Sequence, residues 1–291
     1  MHYALLLLVA LLLTIQKVTQ KRFNTTCGSG ALLFSGMISL CAMGCFAVVA
    51  TVNRAWSWDA SLILPALGFG LSYAAATVFV VLAIRNGSLA KTTLVTSYSL
   101  LVPALAGLVF LREPLKPTLA AGMIALVLSL WLTNHRRSEP NRIGQPVTLK
   151  WVVCVALGFA GNGLCSTVQK LAPHYTKGGE LNQTMYMIAA LGLSSVVLIT
   201  ASLLTGETQP RTTLRHGAPL ALVCGLCNAG VNLLVLYLNA RIPASVMFPA
   251  ISAGQIILVC AYALLLCRER FTKKQWTGFA VGVLAVVLLN I

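Results

Sequence analysis

Acidic residues are scarce in this chain. It contains six Asp and Glu against 21 Lys and Arg, and charged residues of either sign make up only 9% of its 291 residues. Apolar residues make up 58%, a fraction above the range of soluble domains. The composition therefore excludes a soluble globular fold and predicts an all-α integral membrane protein embedded in the lipid bilayer.

The carboxylates are also absent from the apolar runs, since all six lie in or beside predicted loops. An ionisable group near the centre of a bilayer is costly and usually functional. Without one, the usual Asp or Glu proton relay has no carrier, and a cationic solute has no counter-ion. A neutral, zwitterionic or mildly anionic solute is therefore favoured.

Motifs for enzymatic chemistry are missing as well. No Walker A, HExxH or GxSxG motif occurs, so we expect neither an enzyme nor ATP-driven transport, and no cofactor. No basic run is interleaved with enough aromatic residues to bind nucleic acid. The nine cysteines lie mostly in apolar runs, without the His or carboxylate neighbours of a metal site.

Apolar runs of about 20 residues are long enough for an α-helix to cross the hydrocarbon layer. The sequence predicts ten such spans, at residues 2–20, 30–52, 61–84, 88–110, 115–134, 149–171, 182–204, 215–239, 243–266 and 272–291. The longest connection, 135–148, is polar and joins two sets of five. The predicted organisation is a first five-helix repeat at 1–134 and a second at 149–291.

The two sets repeat one pattern. A shift of 156 residues places the Arg-Glu pair of 112–113 on 268–269, and a shift of 153 places Thr14, Gln16 and Lys17 on Thr167, Gln169 and Lys170. Because five is odd, two similar halves would enter the membrane in opposite directions. The prediction is thus an inverted repeat, with a site between the halves that opens to either side in turn.

Loops after odd-numbered spans, with their flanks, hold most of the Lys and Arg residues. The positive-inside tendency therefore predicts a cytoplasmic central loop and both termini outside. We expect a multi-pass protein of the bacterial cytoplasmic membrane.

The repeated segments resemble the EamA-type domain of the drug/metabolite transporter superfamily. The resemblance rests on the mid-helix Pro103, the Arg-Glu-Pro-Leu turn at 112–115 and Gly122; the second copy keeps Glu269 and Gly278. It departs at Val259, which stands where Pro103 would fall. The resemblance implies a ten-helix exporter or exchanger of metabolites, amino acids or drugs. It also implies a central cavity lined by the first four helices of each half.

Polar side chains within the spans are the candidate binding groups. Asn228, Asn232 and Asn239 share one helical face, which would line a wet cavity or form interhelical hydrogen bonds. Further cavity candidates from other spans are Asn162, Ser166, Gln169, Gln16, Thr96, Tyr98, Gln255 and Tyr73. Such amides and hydroxyls suit a polar organic solute better than a bare ion.

Charged residues near span ends have two readings. Lys17, Lys91 and Lys170 are either snorkelling lysines or anion hooks along the pathway. Glu113 and Glu269 either stabilise the start of the following helix or form a gating ion pair with the neighbouring arginines.

The sequence thus predicts a secondary transporter that moves a small polar solute by alternating access. One alternative is a phosphate-ester or nucleotide-sugar exchanger, in which the lysines would converge on the cavity. Another is a non-transporting membrane protein, such as a lipid-modifying enzyme or an assembly partner. The Gly278-x-x-x-Gly282 motif permits close helix approach, and a monomer is favoured over a homodimer.

Overall fold

The computed structural model describes residues 2–27, 29–86, 92, 95–96, 98–112, 117–133, 148–175, 182–206, 210–265 and 273–289. Within this described part, ten α-helices of ten or more residues occur and no strand. They are α1 (His2–Cys27), α2 (Ala31–Val52), α3 (Ile63–Asn86), α4 (Leu101–Phe110), α5 (Pro117–Thr133), α6 (Leu149–Tyr175), α7 (Gln183–Leu204), α8 (Pro210–Asn239), α9 (Ala244–Leu265) and α10 (Lys273–Leu289).

Six of the described helices are long and apolar enough to cross a membrane: α1, α2, α3, α6, α7 and α8. Shorter apolar stretches lie in α4, α5 and α10. Large apolar side chains such as Val48, Leu64 and Leu204 are exposed on the outside of the bundle, where lipid would cover them. The predicted class, an all-helical multi-pass membrane protein, is confirmed, and the count of ten spans stays a prediction.

Helices α1 and α8 extend furthest beyond the predicted spans. The first span was predicted to end at residue 20, but α1 continues to Cys27, because the polar residues after Lys17 do not break a helix. The eighth was predicted to begin at residue 215, but α8 begins at Pro210. Proline is well suited to the first helical position, since its missing N–H has no partner there anyway.

The main helix contacts join the first five helices to the last five. Helix α1 packs on α8 and α3 packs on α6; α2 packs on both α7 and α8, and α3 also packs on α7. Outside this group, α4 packs on α9 and α5 packs on α10. If each helix is renumbered as its counterpart in the other set, the same pattern of pairs returns.

Helices α2 and α7, the second helix of each set, run antiparallel. A Cβ built on Gly36, early in α2, would contact Ile199 late in α7, and one built on Gly192 would contact Met43. The contact positions therefore rise along one helix while they fall along the other.

Two glycines mark equivalent close approaches. A Cβ built on Gly70 of α3 would lie 2.6 Å from the carbonyl oxygen of Ala190 in α7. One built on Gly225 of α8 would lie 3.1 Å from the carbonyl oxygen of Ile38 in α2. In both places the third helix of one set touches the main chain of the second helix of the other, which only glycine allows without displacement.

Candidate functional site

Three buried carboxamides connect α6 to α8. The Nε2 of Gln169 donates to Oδ1 of Asn232 at 3.1 Å, and the Nδ2 of Asn232 donates to Oδ1 of Asn228 at 2.9 Å. The same Nδ2 lies 2.9 Å from the carbonyl oxygen of Asn228. We call Asn228, Asn232 and Gln169 the carboxamide cluster.

The cluster follows from spacing on two helices. Asn228 and Asn232 are four residues apart on α8 and so share a face, and all three side chains are at most 7% exposed. A buried amide without a partner is costly in an apolar surrounding, and each amide here has one. Of the two predicted readings, interhelical hydrogen bonding is therefore observed for this cluster, and cavity lining stays a prediction.

Aromatic and hydroxyl groups from the first five helices face the cluster. The hydroxyl of Tyr73 on α3 interacts with the side chains of Ser39 on α2 and Asn228 on α8. The ring of Tyr73 stacks on Phe69 at 6.0 Å between centroids, and Phe69 meets Tyr186 of α7 edge-on at 6.1 Å. The Tyr186 hydroxyl is buried and has no hydrogen-bond partner within the described residues.

Sequence reasoning included Tyr73 but missed Ser39, Phe69 and Tyr186. The pair of serines inside this apolar span, Ser35 and Ser39, was a detectable signal, since such hydroxyls need a polar neighbour. The two aromatic residues gave no signal, because Phe and Tyr are equally common in ordinary cores.

Lys170 binds the end of α8. Its Nζ donates to the carbonyl oxygens of Asn239 at 2.8 Å and Ile242 at 2.9 Å. The Nδ2 of Asn239 in turn donates to the carbonyl oxygen of Gln169 at 3.1 Å. A cation at a helix C-terminus stabilises the negative end of the helix dipole. This arrangement favours a structural role for Lys170 over the predicted anion hook.

Gln16 and Lys17 lie on α1, beside the middle of α8. The buried Gln16 accepts, through its main-chain carbonyl, a weak hydrogen bond from Sγ of Cys224 at 3.7 Å. The side chain of Lys17 is exposed and lies near Cys224. The longer α1 moves Lys17 from the predicted end of a span to the middle of the candidate span Ala4–Cys27.

The other predicted residues are not part of the cluster. Asn162 and Ser166 on α6 and Gln255 on α9 are half-buried. The Thr96 hydroxyl donates to the carbonyl of Thr92, and the Tyr98 hydroxyl donates to the carbonyl of Val127 on α5 at 3.3 Å. Three candidates lie outside the described residues, namely Lys91, Glu113 and Glu269.

A groove of about 330 Å³ lies between the end of α3 and the start of α6, at Asn86 and Lys150. Nineteen residues of α6 separate Lys150 from Gln169, or about 28 Å at a rise of 1.5 Å per residue. The groove is therefore separate from the carboxamide cluster. The described residues contain no group of three His, Cys, Asp or Glu side chains arranged to hold a metal.

Comparisons with known proteins give a family for one half and a fold for the whole. Residues 148–291 match the model of the EamA-like transporter family. No curated protein matches the chain. A solved crystal structure superposes with a TM-score of 0.75 and 12% sequence identity, covering 100% of this chain and 98% of the solved one. At that identity the likeness shows the fold alone.

Proposed function

Since residues 148–291 belong to the EamA-like transporter family, of the drug/metabolite transporter superfamily, we propose that this chain is a secondary transporter. It moves a small polar organic solute across the membrane without ATP. The family consists of transporters rather than enzymes, which agrees with the lack of catalytic motifs in the sequence.

The proposed mechanism is alternating access between two inverted five-helix halves, 1–134 and 149–291. Three observations support it. The helix contacts keep the same pattern when the two sets are exchanged, α2 runs antiparallel to its counterpart α7, and Gly70 and Gly225 make equivalent contacts across the halves. An operation that reverses helix direction also exchanges the two membrane faces, which is what alternating access requires.

The solute site is proposed at the carboxamide cluster, with Tyr73 and Gln16 beside it. The observation that carries this assignment is the buried hydrogen bond between Gln169 and Asn232. Such amides are satisfied by one another when the site is empty, and they offer directional donors and acceptors when a polar solute replaces those bonds. Lipid-facing positions would not hold three amides.

The proposed setting is the bacterial cytoplasmic membrane, with the central loop in the cytoplasm and both termini outside. The proposed working unit is a monomer, and the proposed partners are the solute and the surrounding lipid.

The experiment combines a binding screen with transport. Purified protein is screened by thermal shift against amino acids, sugars, nucleosides and organic anions, because a ligand at 100 times its Kd stabilises by about 2.7 kcal/mol. Uptake of the binding solute is then measured in proteoliposomes for wild type, Asn228→Leu and Asn232→Leu. Leu233→Ala, an outward-facing change on the same helix, is the control.

We expect both leucine variants to insert normally and lose transport by at least about tenfold, since a buried polar contact is worth about 1–3 kcal/mol. The control should transport as wild type does. Normal transport by both leucine variants would show that the site lies elsewhere.

A further inference from the structure

Lys17 lies on the inward face of α1. The exposed side chains Leu7, Leu11 and Ile15 mark the face that would contact lipid. Two residues beyond Ile15, at about 100° per residue, the helix has turned by about 200°. Lys17 therefore points away from the lipid-facing side. Its ammonium is surrounded by protein, yet the side chain is accessible, so a space inside the bundle adjoins it.

Leu6, Ala10, Lys17, Lys21 and Asn24 follow one another along this inward face of α1, and we call them the inward stripe. Its side chains are buried in the first half of the helix and exposed in the second half. Leu6 and Ala10 on this stripe are buried. Lys17, Lys21 and Asn24, at i, i+4 and i+7, are exposed. Lys17 is thus the innermost exposed residue of the stripe, and the exposed positions continue from it to the C-terminal end of α1.

Lys17 lies level with the middle of α8, a candidate membrane span. The neighbouring Gln16 contacts Cys224, which is near the middle of the candidate span Thr213–Asn239. Asn228 of the carboxamide cluster follows Cys224 by one helical turn on the same helix. An ammonium group at this depth is costly unless a counter-charge or water accompanies it.

The described residues supply no counter-charge. None of the ten described helices contains Asp or Glu. Asp59, the one carboxylate in the described part, accepts a hydrogen bond from the Ser61 main chain in the turn before α3. No ion pair or hydrogen bond of the Lys17 ammonium occurs within those residues.

Lys17 differs in its surroundings from Lys170, its counterpart in the repeat. Thr14 and Thr167 each donate to the carbonyl four residues earlier, at 2.7 and 2.8 Å, so the two segments keep the same local structure. Lys170 is buried and donates to two main-chain carbonyls, whereas the side chain of Lys17 is exposed. The internal symmetry is therefore broken at Lys17, whose ammonium forms no ion pair or hydrogen bond within the part of the chain that the structure describes.

From these observations we infer that Lys17 binds the carboxylate of a monoanionic organic solute, whose remaining polar groups bond to the carboxamide cluster. The inference rests on the proposed transport function and names the substrate class of that site. One ammonium matches one negative charge. A dianionic phosphate ester would need a second cation. Lys170 is too far away to supply it, because it contacts Asn239, which lies about 22 Å along α8 from Cys224 at a rise of 1.5 Å per residue.

The test uses matched pairs of probes that differ in charge but hardly in shape: N-acetylglycine with N-acetylglycinamide, lactate with lactamide, and mandelate with mandelamide. Binding to the purified full-length protein is measured by thermal shift and titration calorimetry. The variants are Lys17→Gln, Lys17→Arg and Lys170→Gln. Lys150→Gln, an exposed change at the start of α6, controls for non-specific charge.

We expect at least one carboxylate to bind wild type about tenfold or more tightly than its amide, as charge-assisted hydrogen bonds are about twice as strong as neutral ones. Lys17→Gln should remove that preference, and Lys17→Arg should retain it. Lys170→Gln and Lys150→Gln should leave the preference unchanged.

Equal binding of acid and amide, or a preference that survives in Lys17→Gln, would overturn the inference while leaving neutral-solute transport intact. A preference that disappears in Lys150→Gln would also overturn it, because the charge would then act at the surface. A carboxylate that binds through Lys17 but is not carried into proteoliposomes would instead refute the proposed function.

Discussion

The Nζ of Lys170 on α6 lies 2.8 Å from the carbonyl oxygen of Asn239, the last residue of α8. Two further bonds lie beside it, from Lys170 to the carbonyl of Ile242 and from Asn239 to the carbonyl of Gln169. Together the three bonds hold α6 against the C-terminal end of α8. In the carboxamide cluster, Gln169, the residue before Lys170, binds α8 again seven residues earlier, at Asn232. These two connections would make α6 and α8 move as one body in any rearrangement of the bundle.

We predict that Lys170→Met lowers the melting temperature in detergent. The substitution keeps an apolar stem but removes the ammonium donor from the buried carbonyl of Asn239 and the partly buried carbonyl of Ile242, at about 1–3 kcal/mol for a buried group left unsatisfied. Lys150→Met, on the exposed start of the same helix, should change the melting temperature little. Equal melting temperatures for the two variants would show that water replaces the ammonium at no cost, contrary to the structural role assigned here.

The crossing contacts of Gly70 and Gly225 make a second prediction. Alanine at either position would place a Cβ within 2.6 or 3.1 Å of a main-chain oxygen, which cannot move without its helix. We expect each variant to lose about 1–3 kcal/mol of stability, as overpacked cores do. Gly44→Ala on α2 is the control, because a Cβ there would meet no atom within 4 Å.

Thermal unfolding of the three alanine variants checks this ranking. If the variants at Gly70 and Gly225 have the same melting temperature as Gly44→Ala, the helices have room to separate, and these contacts do not restrict the two halves.

Sequence periodicity identified which residues share a helix face, but not which helix that face meets. Asn228 and Asn232 were expected on one face and lie there, buried. Their partner Gln169 is 63 residues away from Asn232 in the chain, and no local pattern connects them. Only packing brings α6 beside α8.

The repeat was visible in sequence, but its functional asymmetry was not. The 153-residue shift pairs Lys17 with Lys170, and sequence alone offers the same two readings for both, snorkelling or an anion hook. Their surroundings differ because α8 ends beside Lys170 and passes Lys17 at mid-length. The position of a third helix relative to each lysine is a tertiary property, so the sequence could not distinguish the two.

The last prediction concerns the glycine motif of α10. The hydroxyl of Ser129 on α5 donates to the carbonyl of Gly278 at 2.7 Å, and a Cβ on Gly282 would lie 2.7 Å from that same hydroxyl oxygen. The glycine face of α10 is therefore occupied by α5 of its own chain. The two helices can approach closely because the residues between them, one serine and two glycines, are small.

We predict that Gly282→Leu lowers the melting temperature, because the larger side chain forces α5 and α10 apart, at about 1–3 kcal/mol for overpacking. The molar mass of the protein–detergent complex, measured by light scattering, should stay that of wild type. Val283→Leu, which enlarges the neighbouring and more exposed side chain, should alter neither quantity. A fall in molar mass in Gly282→Leu alone would show instead that the glycine face joins two copies of the chain. If the face packs only within one chain, the substitution cannot separate two chains, and the molar mass cannot fall.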